Sequence, residues 1–136
     1  MMVIDASALS DVLLDLPRGQ GVRGHISAIG CELHAPHLLD IEVLSFLRRA
    51  VAGGHLSDAR AAAALDDLLD LTLHRYPHAI LAARVWELRD NFTAYDAVYL
   101  ALAESLDDQG VPLLTTDARF ARAARRHTRV EVLLAG

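Results

Sequence analysis

A chain of 136 residues, 53% hydrophobic and only 5% aromatic, has the material for one domain of ordinary size, spanning residues 1–136, around an aliphatic core. It carries a formal charge of −5 and no lysine, since all 13 basic residues are arginine; this excludes a Walker A phosphate loop and a Schiff-base enzyme, and disfavours a lysine-dependent receiver domain. The acidic balance argues against indiscriminate binding to a nucleic-acid backbone, the lone Cys31 excludes an internal disulfide, and no leader or apolar run of about 20 residues is present, so the expectation is a cytoplasmic protein without a membrane span.

In chain order, Met2 to Asp5 reads as a short buried strand and Ser7 to Leu16 as a helix stopped by Pro17 and Gly19. Gln20 to Ile29 reads as a second helix ended by Gly30, and Cys31 to Ala35 as a strand ended by Pro36. Apolar residues at 38, 41, 44, 47 and 51 predict a helix over 37–52, closed by Gly53-Gly54. Ser57 caps an Ala/Leu-rich helix to Leu69, Leu71 to His74 is a weak strand, and Pro77 opens a helix to Arg89. Thr93 starts a helix to Leu106; Gly110-Val111-Pro112 turns the chain into a strand over 113–116. A helix over 117–126 and a strand over 130–134 follow. Strands alternating with helices predict an α/β sandwich around a mainly parallel sheet.

Four acids stand in or beside apolar segments instead of solvated charge runs: Asp5, Glu42, Asp96 and Asp117. Asp5 and Asp117 sit where helix N-caps belong, and Thr93-Ala94-Tyr95-Asp96 resembles a capping box with Asp in place of the usual Glu or Gln; such caps are each worth about 1 kcal/mol. Glu42 lies more than a turn inside its helix, where a cap is impossible. Asp5 and Asp117 end apparent parallel strands, and ligands of open α/β sheets gather beyond that edge. Two carboxylates about 5 Å apart repel by roughly 3 kcal/mol at an effective dielectric near 20, so a gathered set calls for protons or a multivalent cation. All-oxygen ligation selects Mg²⁺ or Mn²⁺. Such a site suggests phosphodiester hydrolysis by a metal-activated water.

Ser7 and Thr116 stand beside this array as hydroxyls able to hold a metal-bound water, to orient a carboxylate or to cap a helix. Arg48, Arg119 and Arg122 lie close enough in sequence to the acids to contact RNA phosphate. Asp11, Asp15 and Asp40 read as surface acids. Cys31, His34 and His37 recur every third residue, but strand alternation separates the first two and Pro36 interrupts the rest; His74 and His78 show no metal spacing. A haloacid-dehalogenase-like phosphatase needs an Asp-x-Asp start and a lysine, and the chain reads Asp5-Ala6-Ser7.

Four segments, in order, carry a family resemblance: residues 3–9, from Val3-Ile4-Asp5; residues 42–49, from Glu42-Val43-Leu44; residues 93–103, from Thr93-Ala94-Tyr95-Asp96; and residues 114–120, from Leu114-Thr115-Thr116-Asp117. Together they resemble the PIN-domain ribonucleases of the VapC toxin type, nearly end to end. The resemblance implies a PIN-like three-layer sandwich and a metal-dependent endoribonuclease with Asp5, Glu42, Asp96 and Asp117 as its acidic site. It also implies a homodimer and a cognate antitoxin that blocks the active site. Ser45 departs from the asparagine many relatives carry. The rival expectation is a PIN-like module that binds RNA or a partner without cutting.

Overall fold

The computed structural model describes residues 1–29 and 32–136. Five parallel strands form one sheet in the order β3-β2-β1-β4-β5, with β1 at Met2–Ile4, β2 at Leu33–Pro36, β3 at Leu73–Tyr76, β4 at Leu113–Thr115 and β5 at Val132–Leu134. Among the described residues seven α-helices connect them: α1 (Ala6–Leu13), α2 (Pro17–Ile29), α3 (Leu38–Ala52), α4 (Asp58–Asp70), α5 (Ala82–Glu87), α6 (Ala94–Ser105) and α7 (Ala118–His127). Right-handed crossovers place α1 to α4 on one face and α5 to α7 on the other, a three-layer sandwich as expected. The packing agrees: α1 and α4 both meet α3, and α5 meets α6.

The central strands are apolar except for His34 in β2 and Thr115 in β4, because both faces are covered. Met2, Val3, Ile4, Leu113 and Leu114 have no exposure. Helix α6 is buried from Ala97 to Ala103 without a polar stripe, as a helix laid across β1, β2 and β4 must be.

Several boundaries differ from the sequence expectation for identifiable reasons. Helix α1 ends at Leu13, and the chain reverses through Asp15 in a left-handed conformation (φ 55°), which aspartate tolerates better than most residues. Pro17 then opens α2 instead of stopping α1; the first helical position has no use for an N–H. The predicted helix stop at Gly30 and the strand start at Cys31 lie outside the described residues. Pro36 belongs to β2 instead of ending it. His37 N–H donates to the Tyr76 carbonyl at 2.9 Å, so by alternation the missing N–H of Pro36 falls on the β1 side, past Val3↔His34, the last register pair between β1 and β2. Strand β3 lies two residues later than expected. The helix expected from Pro77 is a 3₁₀ turn over Ala79–Leu81 followed by the short α5.

β1 connects leftward to β2, whereas β4 connects rightward to β5. Their carboxyl ends therefore flank the point where the winding reverses, which opens a crevice. Residue 5 leaves β1 and residues 116–117 leave β4 at that crevice.

Candidate active site

Asp5 caps α1: its Oδ1 accepts the Ala8 N–H at 2.9 Å and the Ser7 hydroxyl at 2.7 Å. Its Oδ2 accepts the Thr115 hydroxyl at 2.5 Å. Asp117 caps α7, with Oδ1 accepting from the Arg119 and Phe120 amides at 3.0 and 3.1 Å. Asp96 is in the first turn of α6, where Thr93 supplies the cap through a 3.2 Å bond to the Asp96 N–H. Glu42 reaches out from the middle of α3, and the Tyr99 hydroxyl, one turn beyond Asp96 on α6, donates to its Oε1 at 2.6 Å.

The carboxylates form one electrostatic group. Burial pushes Asp5, only 6% exposed, up to about 6 against its three hydrogen bonds, and the Asp117 charge adds to the rise. Burial raises Asp96, again with a contribution from Asp117. Burial raises Glu42 while the Tyr99 bond holds it down and the Asp96 charge pushes it up. Burial and the Glu42 charge drive the Tyr99 phenol far upward, so it remains a donor. Among the described residues none of the four acids has an ion-pair partner, although Asp11, Asp15, Asp40, Glu87 and Glu104 all pair with arginine.

Glu42 and Asp117 line a cavity of about 480 Å³ together with Ser7, Asp11, Thr116, Arg18, Arg49 and Arg119. Asp5 is bonded to the cavity residue Ser7. Asp96 is outside the lining, but its charge acts on Glu42 and it feels that of Asp117. The Thr116 Oγ1 is buried in the same place without a hydrogen-bond partner. Unpaired, desolvated, like-charged oxygens beside an orphaned hydroxyl suit a divalent cation. Among the described residues, no three of these acids bring ligand atoms within 4.8 Å of one another. A larger hollow of about 810 Å³ around Arg84, Glu104, Arg126 and Arg129 holds none of the four acids, and Arg84 is already committed to Glu104 and Glu87.

A sequence model of the PIN domain matches residues 2–126. The chain belongs to the PIN-domain family. Over 127 residues it is 46% identical to ribonuclease VapC1 of Mycobacterium tuberculosis, covering 89% of each chain. It is 40% identical over 133 residues to ribonuclease VapC9 of the same organism, covering 98% of each. Among solved structures, PAE2754 from Pyrobaculum aerophilum superposes with a TM-score of 0.67 at 22% identity, covering 96% of this chain and 81% of that one. Mycobacterium tuberculosis VapC20 superposes with a TM-score of 0.66 at 17% identity, covering 90% and 95%. These two share the PIN fold.

Within this PIN domain the supporting residues match the sequence expectation in part: the Ser7 hydroxyl bonds to Asp5 as expected. Thr115, not Thr116, orients Asp5; the Thr116 backbone N–H binds Ser7 Oγ at 3.2 Å instead. Strand register holds the missing signal: Ile4 pairs with Leu114, so the next pair is Asp5 with Thr115. Tyr99 was legible only as a buried phenol in need of a partner. Arg119 lines the acid cavity, but Arg48 lines a separate depression with Leu44, Leu47 and Ala61. Arg49, seven residues after Glu42 and so on its face of α3, lines the cavity instead, and it also donates to Ser45 Oγ at 3.0 Å. Arg122 is exposed one turn beyond Arg119. Asp11 is a buried acid, not a surface one: it is 3% exposed and pairs with Arg18 at 3.4 Å. Of the residues in the Cys31, His34 and His37 spacing, His37 packs against His78, and Cys31 lies outside the described residues. His34 instead stacks on His74.

Proposed function

We propose that this PIN domain, a single unit over residues 1–136, is a metal-dependent endoribonuclease that acts as the toxin of a toxin–antitoxin pair. One observation carries the reading: three desolvated carboxylates, Asp5, Glu42 and Asp96, join the exposed Asp117 beside a cavity edged by Arg18, Arg49 and Arg119, and none of the four has an ion-pair partner among the described residues. The ribonuclease names of relatives up to 46% identical support RNA as the substrate. Family membership supports an antitoxin that covers the cavity, a homodimer and action in the cytoplasm. No described helix is long and apolar enough to cross a membrane.

Asp5, Asp96 and Asp117 would hold Mg²⁺ or Mn²⁺, with Glu42 as a further ligand or as the group that positions the attacking water. The bound ion supplies a lowered water pKa and neutralises charge on the phosphoryl oxygens. Ser7 and Thr115 fix both oxygens of Asp5, so its direction is set before an ion arrives. Tyr99 occupies Oε1 of Glu42 and leaves Oε2 to accept a hydrogen bond from water. A Glu42 raised by burial is a better proton acceptor near neutral pH than an exposed glutamate. Arg49 and Arg119 offer phosphate contacts that place the backbone without reading bases.

The test is cleavage of RNA by the purified chain with Mg²⁺, with EDTA, and with Asp5→Asn or Asp96→Asn. The expected result is loss of about 100-fold or more in EDTA and in each variant. Undiminished cleavage in EDTA or in both variants would sink the proposal. RNA binding without cleavage by the wild-type chain in Mg²⁺ would leave a non-catalytic binding module in its place.

A further inference from the structure

We propose that Glu32, His34 and His74 form a second metal site, selective for a borderline ion of the zinc class and separate from the four acids. One ligand atom from each of these residues lies within 4.8 Å of the other two. Parallel pairing creates the group. His34 and His74 are register partners across β2 and β3, and Glu32, two residues before His34, shares its face by alternation. No spacing within one segment reveals such a set, because one of its three members comes from the next strand.

His34 is poised as a ligand. It is 4% exposed, and its Nε2 is buried with no hydrogen-bond partner, 3.6 Å from a Glu32 carboxylate oxygen. Its other ring nitrogen is 2.6 Å from the Tyr76 hydroxyl, an arrangement that fixes ring orientation as the outer partner of a metal-bound histidine does. The His74 ring lies 4.7 Å away at 18°, nearly parallel. His74 and Glu32 are exposed, so an ion has a solvent path and both side chains can close on it without disturbing the core. Burial, followed by the neighbouring His74, lowers the His34 pKa.

Two imidazoles and a carboxylate select differently from the acid site. Nitrogen donors suit Zn²⁺ and its neighbours, with a fourth position open to water, whereas all-oxygen sites suit Mg²⁺. An ion here would tie β3, the edge strand, to β2, toward the end of the sheet away from the acids.

Zn²⁺ alone is the probe, titrated calorimetrically into the full chain carrying Asp96→Asn and Asp117→Asn, which weakens ion binding among the acids. The expected result is one equivalent bound, with affinity falling about tenfold or more on adding His74→Ala or Glu32→Gln and unchanged on adding His37→Ala or His78→Ala. Because these substitutions are at exposed positions, they test the site without replacing the core residue His34. Long-range ¹H–¹⁵N spectra should show the His34 and His74 imidazole nitrogens shifting together as Zn²⁺ is added. Equal affinity in His74→Ala and Glu32→Gln, loss in His37→Ala, or unmoved His34 resonances would overturn the proposal. None of these readouts depends on RNA cleavage.

Discussion

Asp5 is an acid whose surroundings resist its charge. Its pKa is 3.8 in a free side chain and about 6 in the fold. Between those values the folded chain keeps a proton that the unfolded chain has released, so stability falls as pH rises through the window. Above about pH 6 the full penalty, roughly 3 kcal/mol, is present. Asp5→Asn removes it, and the expected outcome is a metal-free chain that melts no lower than wild type at pH 7 although cleavage is lost; calorimetry in EDTA checks this. Mg²⁺ should raise the wild-type melting temperature more at pH 7 than at pH 5, since ionised Asp5 both needs and attracts the ion. Tyr99 offers a finer probe. Its hydroxyl holds the Glu42 pKa down, so Tyr99→Phe should move the acid limb of the pH–rate profile upward and lower kcat by about tenfold.

The helix starts were the most legible elements, because Asp5, Ser57, Thr93 and Asp117 are capping types placed immediately before apolar periodicity, and all four do cap. What could not be read was whatever depends on pairing between distant segments. Thr115 and His74 matter through their register partners, and Arg49 displaces Arg48 through the helical angle it shares with Glu42. Pro17 misled because a proline can open a helix as well as close one. The α1–α2 corner it creates is tight. A Cβ at residue 19 would collide with the backbone carbonyl group of Asp11, which cannot yield as a flexible side chain could. Gly19→Ala should therefore destabilise by about 1–3 kcal/mol, read as a lowered urea midpoint. Because Asp11 pairs with Arg18 beside the acid cavity, the same change should reach the site.

At the scale of the whole molecule, one face is conspicuously apolar. Trp86 and Tyr95 are 67% and 62% exposed, and they edge a groove of about 390 Å³ with Leu38, Ala82, Val85, Ala94 and Val98. Exposed aromatics around an apolar groove are the composition of an interface core, and this face is where the proposed homodimer would form. The expected outcome of Trp86→Ala with Tyr95→Arg is a monomer by light scattering, with the fold intact by circular dichroism.

The bond between Asp5 and Thr115 joins residues 110 positions apart. During synthesis the first acid leaves the ribosome early and waits for almost the whole chain to follow. A nascent chain stalled before Thr115 has neither the hydroxyl that aims Asp5 nor the acid at 117, and should leave RNA intact. The order of the sequence thus acts as a delay. On the proposed function, the host's own translation machinery, the RNA nearest to every emerging chain, would face no assembled cutting site until β4 has docked against β1.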